Sequence, residues 1–187
     1  MRALPRMIVV VPCDPDEARQ ATAAAHGADH PVYIRLGKNG EPSLGTAELP
    51  FWIGRARLLR AGSDVAIIGC GPILGLALAA ADLLAERGLS CRVVDMHTVK
   101  PIDAAAIVDT ATTVSALATL EEHSVIGGLG SAVAETLAEQ GIALPFRRFG
   151  IPDVFTTRVG RQAHLLTHHG LTAPVLAEWL AARAVCG

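Results

Sequence analysis

Two basic residues follow a short predicted strand near the start of the chain, and both are suited to binding an anion. Arg35 ends the sequence VYIR, and Lys38 follows it after Leu36 and Gly37. Because a parallel sheet presents ligand sites at the carboxyl ends of its strands, we expect these cations at a binding edge. A guanidinium grips phosphate or carboxylate in a bidentate way, and an ammonium adds a point charge. From the residues alone, a surface ion pair explains the arginine equally well.

A first glycine-rich turn resembles a dinucleotide-binding fingerprint only in part. Gly69 ends a predicted strand and Gly71 directly precedes a predicted helix. Asp95 lies at the end of the next predicted strand, where an acid would bind a ribose hydroxyl. However, Leu74 stands where the third glycine is expected, and Pro72 removes an N–H donor that would face a pyrophosphate. We therefore interpret this stretch as a tight strand-to-helix turn.

A second glycine-rich turn contains Gly127, Gly128 and Gly130 and follows the sequence LEEHSVI. It lacks the lysine and the Ser/Thr of a phosphate-binding loop. Just before it, Glu121 and His123 suggest acid–base chemistry, because a carboxylate beside an imidazole tunes its pKa. We favour a structural role, in which Glu121 caps or bridges at a subunit contact and these five residues are candidates for an interface.

Two histidines and four cysteines offer further reactive groups, but their spacing carries no recognisable signature. His164 and His168 share one face of a predicted helix, without the glutamate of a zinc protease or a third ligand, which indicates a solvated face. The cysteines form no CxxC pair and lie far apart, which indicates a reducing, cytoplasmic compartment. They are Cys13, Cys70, Cys91 and Cys186.

The composition describes a folded chain with a large apolar core. Of its 187 residues, 51% are hydrophobic and only 4% are aromatic, so the core consists of alanine and branched aliphatic side chains. A net charge of -2 offers no basic footprint for nucleic acid. The continuous apolar runs are shorter than the roughly 20 residues of a membrane span. We predict neither nucleic acid nor membrane as a partner.

Strand patterns alternate with helical patterns along the whole chain, which predicts an α/β fold with a mostly parallel, three-layer sheet. Residues 1–35 supply only a strand, a helix and a strand, and two strands do not bury their own faces. We therefore expect an incomplete unit ahead of a complete one, divided into residues 1–48 and 49–187. The predicted strands are 7–11, 32–35, 64–69, 91–96, 117–121 and 146–149, and the predicted helices are 15–26, 72–87, 103–110, 131–140, 160–169 and 173–184.

Several of these stretches resemble the transketolase-like thiamine diphosphate enzymes. MRALPRMIVVVPCDPDEA and HPVYIRLGK are similar to the end of that family's pyrimidine-binding domain. GRARLLRAGSDVAIIGCG, VVDMHTVKPID, LEEHSVIGGLGSAVAE and FGIPDVFTTRVG resemble its C-terminal domain, in order and at the usual spacing. The resemblance covers nearly the whole chain and is nearest to the C-terminal subunit of split bacterial transketolases. Arg6 departs from it, because the family usually has a glycine in that turn.

The resemblance implies a chemistry whose central parts lie outside this chain. Residues 1–48 would be the tail of a pyrimidine-binding domain and a linker, and residues 49–187 a transketolase C-terminal domain. Thiamine diphosphate and Mg²⁺ would be bound by other domains, and a two-carbon ketol unit would pass between sugar phosphates. This chain would then hold no catalytic, cofactor-binding or metal-binding residue. Arg35, with Lys38 as a companion, would bind the substrate's phosphate.

The resemblance also implies partners and leaves alternatives open. The expected partners are the N-terminal, diphosphate-binding subunit and the rest of the pyrimidine-binding domain, in a homodimer or a heterotetramer. The chain is then a fragment or a split subunit, active in the assembled transferase and inactive alone. The alternatives are a non-catalytic dimerisation or regulatory module, or a beta-subunit-like part of a 2-oxo acid dehydrogenase or of 1-deoxyxylulose-5-phosphate synthase. A nucleotide-binding domain using residues 69–71 is a third option.

Overall fold

The structure is a computed structural model that describes residues 1–38 and 40–184, so Cys186 lies outside the described residues. In this part of the chain, every predicted strand and helix is observed, together with two short strands that were not predicted. The strands are β1 (Ile8–Val10), β2 (Val32–Ile34), β3 (Arg57–Arg60), β4 (Val65–Cys70), β5 (Cys91–Asp95), β6 (Thr98–Lys100), β7 (Ala116–Ser124) and β8 (Phe146–Ile151). The helices are α1 (Pro15–His26), α2 (Leu74–Ala85), α3 (Ala104–Thr113), α4 (Leu129–Glu139), α5 (Gln162–His168) and α6 (Ala173–Ala181).

The larger sheet has five strands in the order β3-β5-β4-β7-β8. Its last four strands are parallel, and β3 pairs with β5 in the antiparallel direction. The central strand β4 is buried along its whole length, as its continuous apolar run requires. Helices α2 and α6 pack on one face of the sheet, and α3 and α4 pack on the other. Each pair of helices covers one apolar cluster. The predicted mostly parallel, three-layer α/β fold is confirmed.

The smaller sheet has three strands in the order β2-β1-β6. Strands β1 and β2 run parallel, and β6 from the second half of the chain pairs with β1 in the antiparallel direction. The sequence predicted only β1 and β2 here, because the three-residue strand β6 directly follows β5 and has no periodicity of its own. The small sheet therefore includes a strand from beyond residue 48. The division of the chain into residues 1–48 and 49–187 stays a prediction.

Other boundaries differ from the predicted ones for local reasons. Strand β3 was not predicted, because the stretch from Arg57 to Arg60 has a charged residue at each end. Helix α2 begins at Leu74, because Pro72 lies in a turn in which Leu74 N donates to Gly71 O at 3.0 Å. Arg6 has a φ of 58°, so it adopts the left-handed conformation that a glycine would favour.

The start of the chain is tied to the second half by hydrogen bonds. The Arg2 guanidinium donates to both carboxylate oxygens of Glu135 in α4 and to the backbone oxygen of Gly127. The ammonium of Lys100, the last residue of β6, donates to the backbone oxygens of Arg2 and Leu4. These contacts hold residues 1–6 against α4 and β6.

A buried ion pair joins α1 to the large sheet. Glu17 Oε1 accepts from Arg57 at 2.9 Å, and the two side chains are only 0% and 5% exposed. Arg57 also donates to the backbone oxygens of Leu49 and Pro50 and to Gln20, while Glu17 Oε2 accepts from the backbone N–H of Cys13 at 2.7 Å. Both charges are therefore compensated inside the protein, as a buried pair requires.

We expect Arg57→Ala to lower the free energy of unfolding by about 3–5 kcal/mol, because it leaves the Glu17 carboxylate buried without its partner. Urea denaturation at neutral pH measures the effect. The double variant Glu17→Gln, Arg57→Met removes both charges and should lose less. Arg19→Ala is the control, since Arg19 pairs with Asp16 at an exposed site and its loss should stay within about 0.5 kcal/mol. A loss no larger than the control's would contradict this interpretation.

Candidate functional site

Two neighbouring cavities lie where the small sheet meets the carboxyl ends of the large sheet. The inner cavity has a volume of about 710 Å³ and lies between Val9 of β1 and the turn at Gly128. The outer cleft has a volume of about 950 Å³ and extends to α5. Val11, Arg35 and Cys70 line both, so the two form one continuous site.

Arg35 lies at the centre of this site. It directly follows β2, and its backbone N–H donates to Val10 O at 2.8 Å, which extends the pairing of β1 with β2. Its side chain is half-buried and makes no ion pair or hydrogen bond with any residue that the structure describes. Lys38 is exposed and lines the outer cleft. The predicted position at a carboxyl edge is thus observed, whereas phosphate binding stays a prediction.

Glu121 is a cap for α4. It extends from β7, is buried, and its two carboxylate oxygens accept from the backbone N–H groups of Leu129 and Gly130, each at 2.8 Å. Burial raises the pKa of Glu121, and these two backbone donors partly offset the rise. The first N–H groups of the helix thereby gain a partner within the chain.

The second glycine-rich turn is shaped around that carboxylate. A Cβ on Gly128 would lie 2.0 Å from Glu121 Oε2, and one on Gly130 would lie 2.7 Å from Thr119 Oγ1. Gly127 has a φ of 74°. Because Glu121 already occupies the N–H groups of this turn, the turn does not serve as a cradle for an external anion.

The structure does not hold Glu121 and His123 in a close acid–base pair. His123 is exposed, and its Nδ1 lies 3.8 Å from Glu121 Oε2 but 2.8 Å from the backbone oxygen of Ser124. Glu121, Gly128 and Gly130 are buried within the chain, whereas His123 and Gly127 reach the surface. Of the five interface candidates, only these last two present a surface, and the interface itself stays a prediction.

Within residues 1–38 and 40–184, one group of side chains has the composition of a metal site. Cys13, Glu17 and Asp95 each place one ligand atom within 4.8 Å of the others, and all three are buried. However, Arg57 already pairs with Glu17, and burial raises the pKa of the Cys13 thiol, so the thiol stays protonated. A resident cation and a protonated thiol oppose metal binding, and we interpret the group as structural.

Asp95 is enclosed in the protein and is not accessible to the ribose hydroxyl of a nucleotide. It is fully buried, its Oδ2 faces the Cys13 thiol at 3.8 Å, and its Oδ1 has no hydrogen-bond partner among the described residues. Burial, followed by the neighbouring Glu17 carboxylate, raises the pKa of Asp95 well above its usual range. The first glycine turn is a tight turn as interpreted, since a Cβ on Gly69 would lie 2.7 Å from Leu74 Cδ2.

The described residues do not fit thiamine diphosphate with Mg²⁺. In the group of Cys13, Glu17 and Asp95, which has the composition of a metal site, Arg57 already pairs with Glu17. Side chains of this protein occupy the space beside both glycine turns. His164 and His168 are exposed on α5, and His168 lies against His169 with ring centroids 5.1 Å apart. We derive no catalytic step through the cofactor from these residues.

Arg161 and His169 also line the outer cleft, and the sequence patterns did not point to them. Arg161 ends the loop after β8, and His169 follows α5. The available signal was topological: β8 is the last parallel strand of the large sheet, so the loop after it leaves from a carboxyl end. The residue types alone gave no reason to place them with Arg35.

Comparison with known proteins places this chain among transketolase-like sequences. A profile described as "Transketolase, C-terminal domain" matches residues 54–176. The chain is 43% identical over 184 residues to 1-deoxy-D-xylulose-5-phosphate synthase from Thermomicrobium roseum, covering 95% of this chain and 29% of that protein. It is 42% identical over 173 residues to the 6-deoxy-6-sulfo-D-fructose transketolase subunit SqwH from Clostridium sp., covering 92% and 53%.

Solved structures show the same fold. A structure titled "Split gene transketolase, inactive beta4 tetramer" has 41% sequence identity and a TM-score of 0.89, covering 98% of this chain and 59% of that one. A transketolase from Pichia stipitis in complex with sedoheptulose 7-phosphate has a TM-score of 0.68 at 19% identity, which shows the fold alone. The chain spans about half the length of the split relatives, as the 53% and 59% coverages state.

We expect Asp95→Asn to stabilise the protein more at pH 8 than at pH 5. The raised pKa means that folded Asp95 keeps a proton that the unfolded chain loses near pH 4, so wild-type stability falls as the pH rises toward the folded pKa. Asparagine does not ionise and removes this loss. Urea denaturation at both pH values, with the exposed Asp29→Asn as control, measures it. A difference independent of pH would show that Asp95 is ionised in the fold.

We expect Gly128→Ala to lower the free energy of unfolding by about 1–3 kcal/mol, because the added methyl group overlaps the Glu121 carboxylate. Gly27→Ala is the matched control: Gly27 has a φ of -94°, and a Cβ there meets its nearest atom at 3.9 Å. That substitution should be neutral or slightly stabilising. Thermal and urea unfolding compare the two variants, and equal stabilities would contradict the proposed fit of the turn around Glu121.

Proposed function

Because the chain belongs to the transketolase C-terminal domain family, we propose that it is the C-terminal part of a thiamine diphosphate-dependent transketolase. The assembled enzyme would transfer a two-carbon ketol unit from a ketose phosphate to an aldose phosphate, leaving the donor two carbons shorter. The observation that carries this proposal is the likeness to the split-gene transketolase chain, at 41% identity over 98% of this chain. The chain alone is then inactive.

The substrate's terminal anion is the part that this chain would bind. We assign that role to Arg35, whose half-buried guanidinium faces the site without a partner among the described residues, and to Lys38 beside it. Two relatives are named for sugars with such a tail: a subunit for 6-deoxy-6-sulfo-D-fructose and one for apulose 4-phosphate, the latter 36% identical over 172 residues. Phosphate and sulfonate are both tetrahedral oxyanions that suit a guanidinium.

Thiamine diphosphate and Mg²⁺ would be bound by the partner domains, and the cofactor supplies a carbanion equivalent for carrying the ketol unit. The residues of this chain take no part in that step. Their contribution is to hold the tail of the sugar so that its reacting end points away from Arg35 toward the partner, which places the substrate for transfer.

The proposed partners are the diphosphate-binding subunit and the rest of the pyrimidine-binding domain, joined to residues 1–48. The free edge of the small sheet supports this, because β2 is an edge strand with an exposed Tyr33 and a second strand can pair along it. Assembly as a homodimer or heterotetramer would use His123 and Gly127, with the exposed Ile126 between them.

We propose a cytoplasmic location, supported by three buried cysteines that form no disulfide among the described residues. The helices in that same part of the chain include none with the length and apolar character to cross a membrane.

A second candidate function is the corresponding part of a 1-deoxy-D-xylulose-5-phosphate synthase. The specific observation in its favour is the 43% identity to the Thermomicrobium roseum protein of that name, over 184 residues. The product formed by the assembled enzyme separates the two candidates: a ketose phosphate that carries a hydroxyl group on C1 indicates transfer of a ketol unit by a transketolase, and 1-deoxy-D-xylulose 5-phosphate, which lacks that hydroxyl, indicates the synthase.

We expect the chain alone to show no ketol transfer. Assembled with its diphosphate-binding and pyrimidine-binding partners, it should convert xylulose 5-phosphate and ribose 5-phosphate into glyceraldehyde 3-phosphate and sedoheptulose 7-phosphate. In that assembly, Arg35→Gln should raise KM for the phosphorylated substrates by about 10- to 100-fold, because a charge-assisted hydrogen bond contributes roughly 1.5–3 kcal/mol. Steady-state kinetics measure KM and kcat separately.

Arg19→Gln serves as the control, because Arg19 is an exposed arginine on α1 that does not line the site. Ketol transfer by the isolated chain would overturn the proposal of a partial enzyme. An Arg35→Gln enzyme with unchanged KM would remove Arg35 from the substrate site. An assembly without any transfer activity would instead favour a dimerisation or regulatory module.

A further inference from the structure

We propose that Arg161 is a second ligand for the anionic tail of the substrate and faces Arg35 across the outer cleft. The inference rests on the proposed function and adds a residue of the C-terminal unit to its binding site. Arg35 and Lys38 come from the segment after β2, whereas Arg161 and His169 come from the loop before α5 and from its end. One cleft of about 950 Å³ thus receives basic side chains from both units.

The charges in this cleft do not cancel. The carboxylates that line it belong to Glu41 and Glu122. Glu122 already accepts a hydrogen bond from Gln162 Nε2 at 2.5 Å. The Glu41 carboxylate lies against the backbone of Gly37, where an added Cβ would come within 1.9 Å of its Oε1.

The cations differ in their interactions: Arg35 interacts electrostatically with the buried Glu121 carboxylate but does not reach it as an ion pair. Within residues 1–38 and 40–184, the side chains of Arg35, Lys38 and Arg161 make no ion pair and no hydrogen bond. Three positive charges therefore line the cleft against the two carboxylates of Glu41 and Glu122, so one positive charge is left in excess beside room for a small ligand. Such a cleft favours an oxyanion that accepts several charge-assisted hydrogen bonds at once.

The position of Arg161 is held by its neighbour. Gln162 begins α5 and its side chain is bonded to Glu122, so the end of the loop is fixed beside the carboxyl end of β7. Further along α5, Leu166 packs against the core of the large sheet. Arg161 thus extends from an anchored point, although the loop of residues 152–161 is otherwise exposed.

The consequence is that the C-terminal unit takes part in substrate binding. A tetrahedral oxyanion between Arg35 and Arg161 would accept from guanidinium groups on both sides, with Lys38 contributing charge. Because Arg161 is exposed, we expect it to contribute less affinity than the half-buried Arg35.

The test uses the full chain alone, because Arg35, Lys38 and Arg161 all belong to it. Ribose 5-phosphate and inorganic phosphate are titrated into the protein, with ribose as the probe without an anion, and chemical-shift changes in NMR spectra report the Kd. We expect Arg161→Gln to weaken binding of both phosphates by about two- to fivefold and Arg35→Gln to weaken it more. Arg161→Lys should retain part of the affinity.

Arg158→Gln is the matched control, because Arg158 is an exposed arginine of the same loop that does not line the cleft. It should bind both phosphates as the wild type does. If Arg35→Gln weakens binding and Arg161→Gln does not, the inference fails while the proposed role of Arg35 stands. If neither changes the Kd, or if the wild type binds no phosphate, both fail. An equal loss in Arg158→Gln indicates unspecific attraction and also overturns the inference.

Discussion

The buried ion pair between Glu17 and Arg57 is the constraint on which the arrangement of this protein depends. It joins a helix of the first unit to the edge strand of the large sheet, and neither charge has water to solvate it. Because a buried charge without its partner is costly, α1 has few alternative positions relative to β3. Strands β1 and β2 flank α1 in the chain, so their position follows from the same contact. The ion pair between Glu17 and Arg57 therefore helps to position Arg35, which directly follows β2, without contacting it.

The rule that a buried charge needs a partner also explains why residues 121–130, whose acid, histidine and glycines suggested catalysis, have a structural role. Glu121 is buried, and a carboxylate in that position needs donors, which the backbone N–H groups at the start of α4 supply. This in turn requires Gly128, because any side chain there would overlap the carboxylate. Glu121 and Gly128 thus occur together because a strand residue caps a helix, and reactivity toward a ligand is not needed to explain them.

What remains for a ligand is the space where the small sheet meets the large sheet. The polar lining of the outer cleft includes Arg35, Lys38 and Arg161, which make no ion pair among the described residues, and the carboxylates of Glu41 and Glu122. Arg2 and Arg57, in contrast, are engaged in ion pairs. Under the proposed function, the chain that binds the anionic tail need not carry the reacting groups. The chain's similarity to subunits of split transketolases agrees with this division.

The sequence by itself determined the α/β class, the order of the main elements, the family resemblance and the position of Arg35, because periodicity, turn residues and motif order are local properties. It did not predict β3 or β6, because these short edge strands depend on the neighbours with which they pair. Only the tertiary structure showed that Glu121 caps α4, that Asp95 is enclosed with Glu17, and that Arg161 shares a cleft with Arg35. Those relations join residues that are far apart in the chain. Whether a charged side chain is buried with a partner, as Glu121 is, or left unpaired beside a cleft, as Arg35 is, depends on how the sheets and helices pack together.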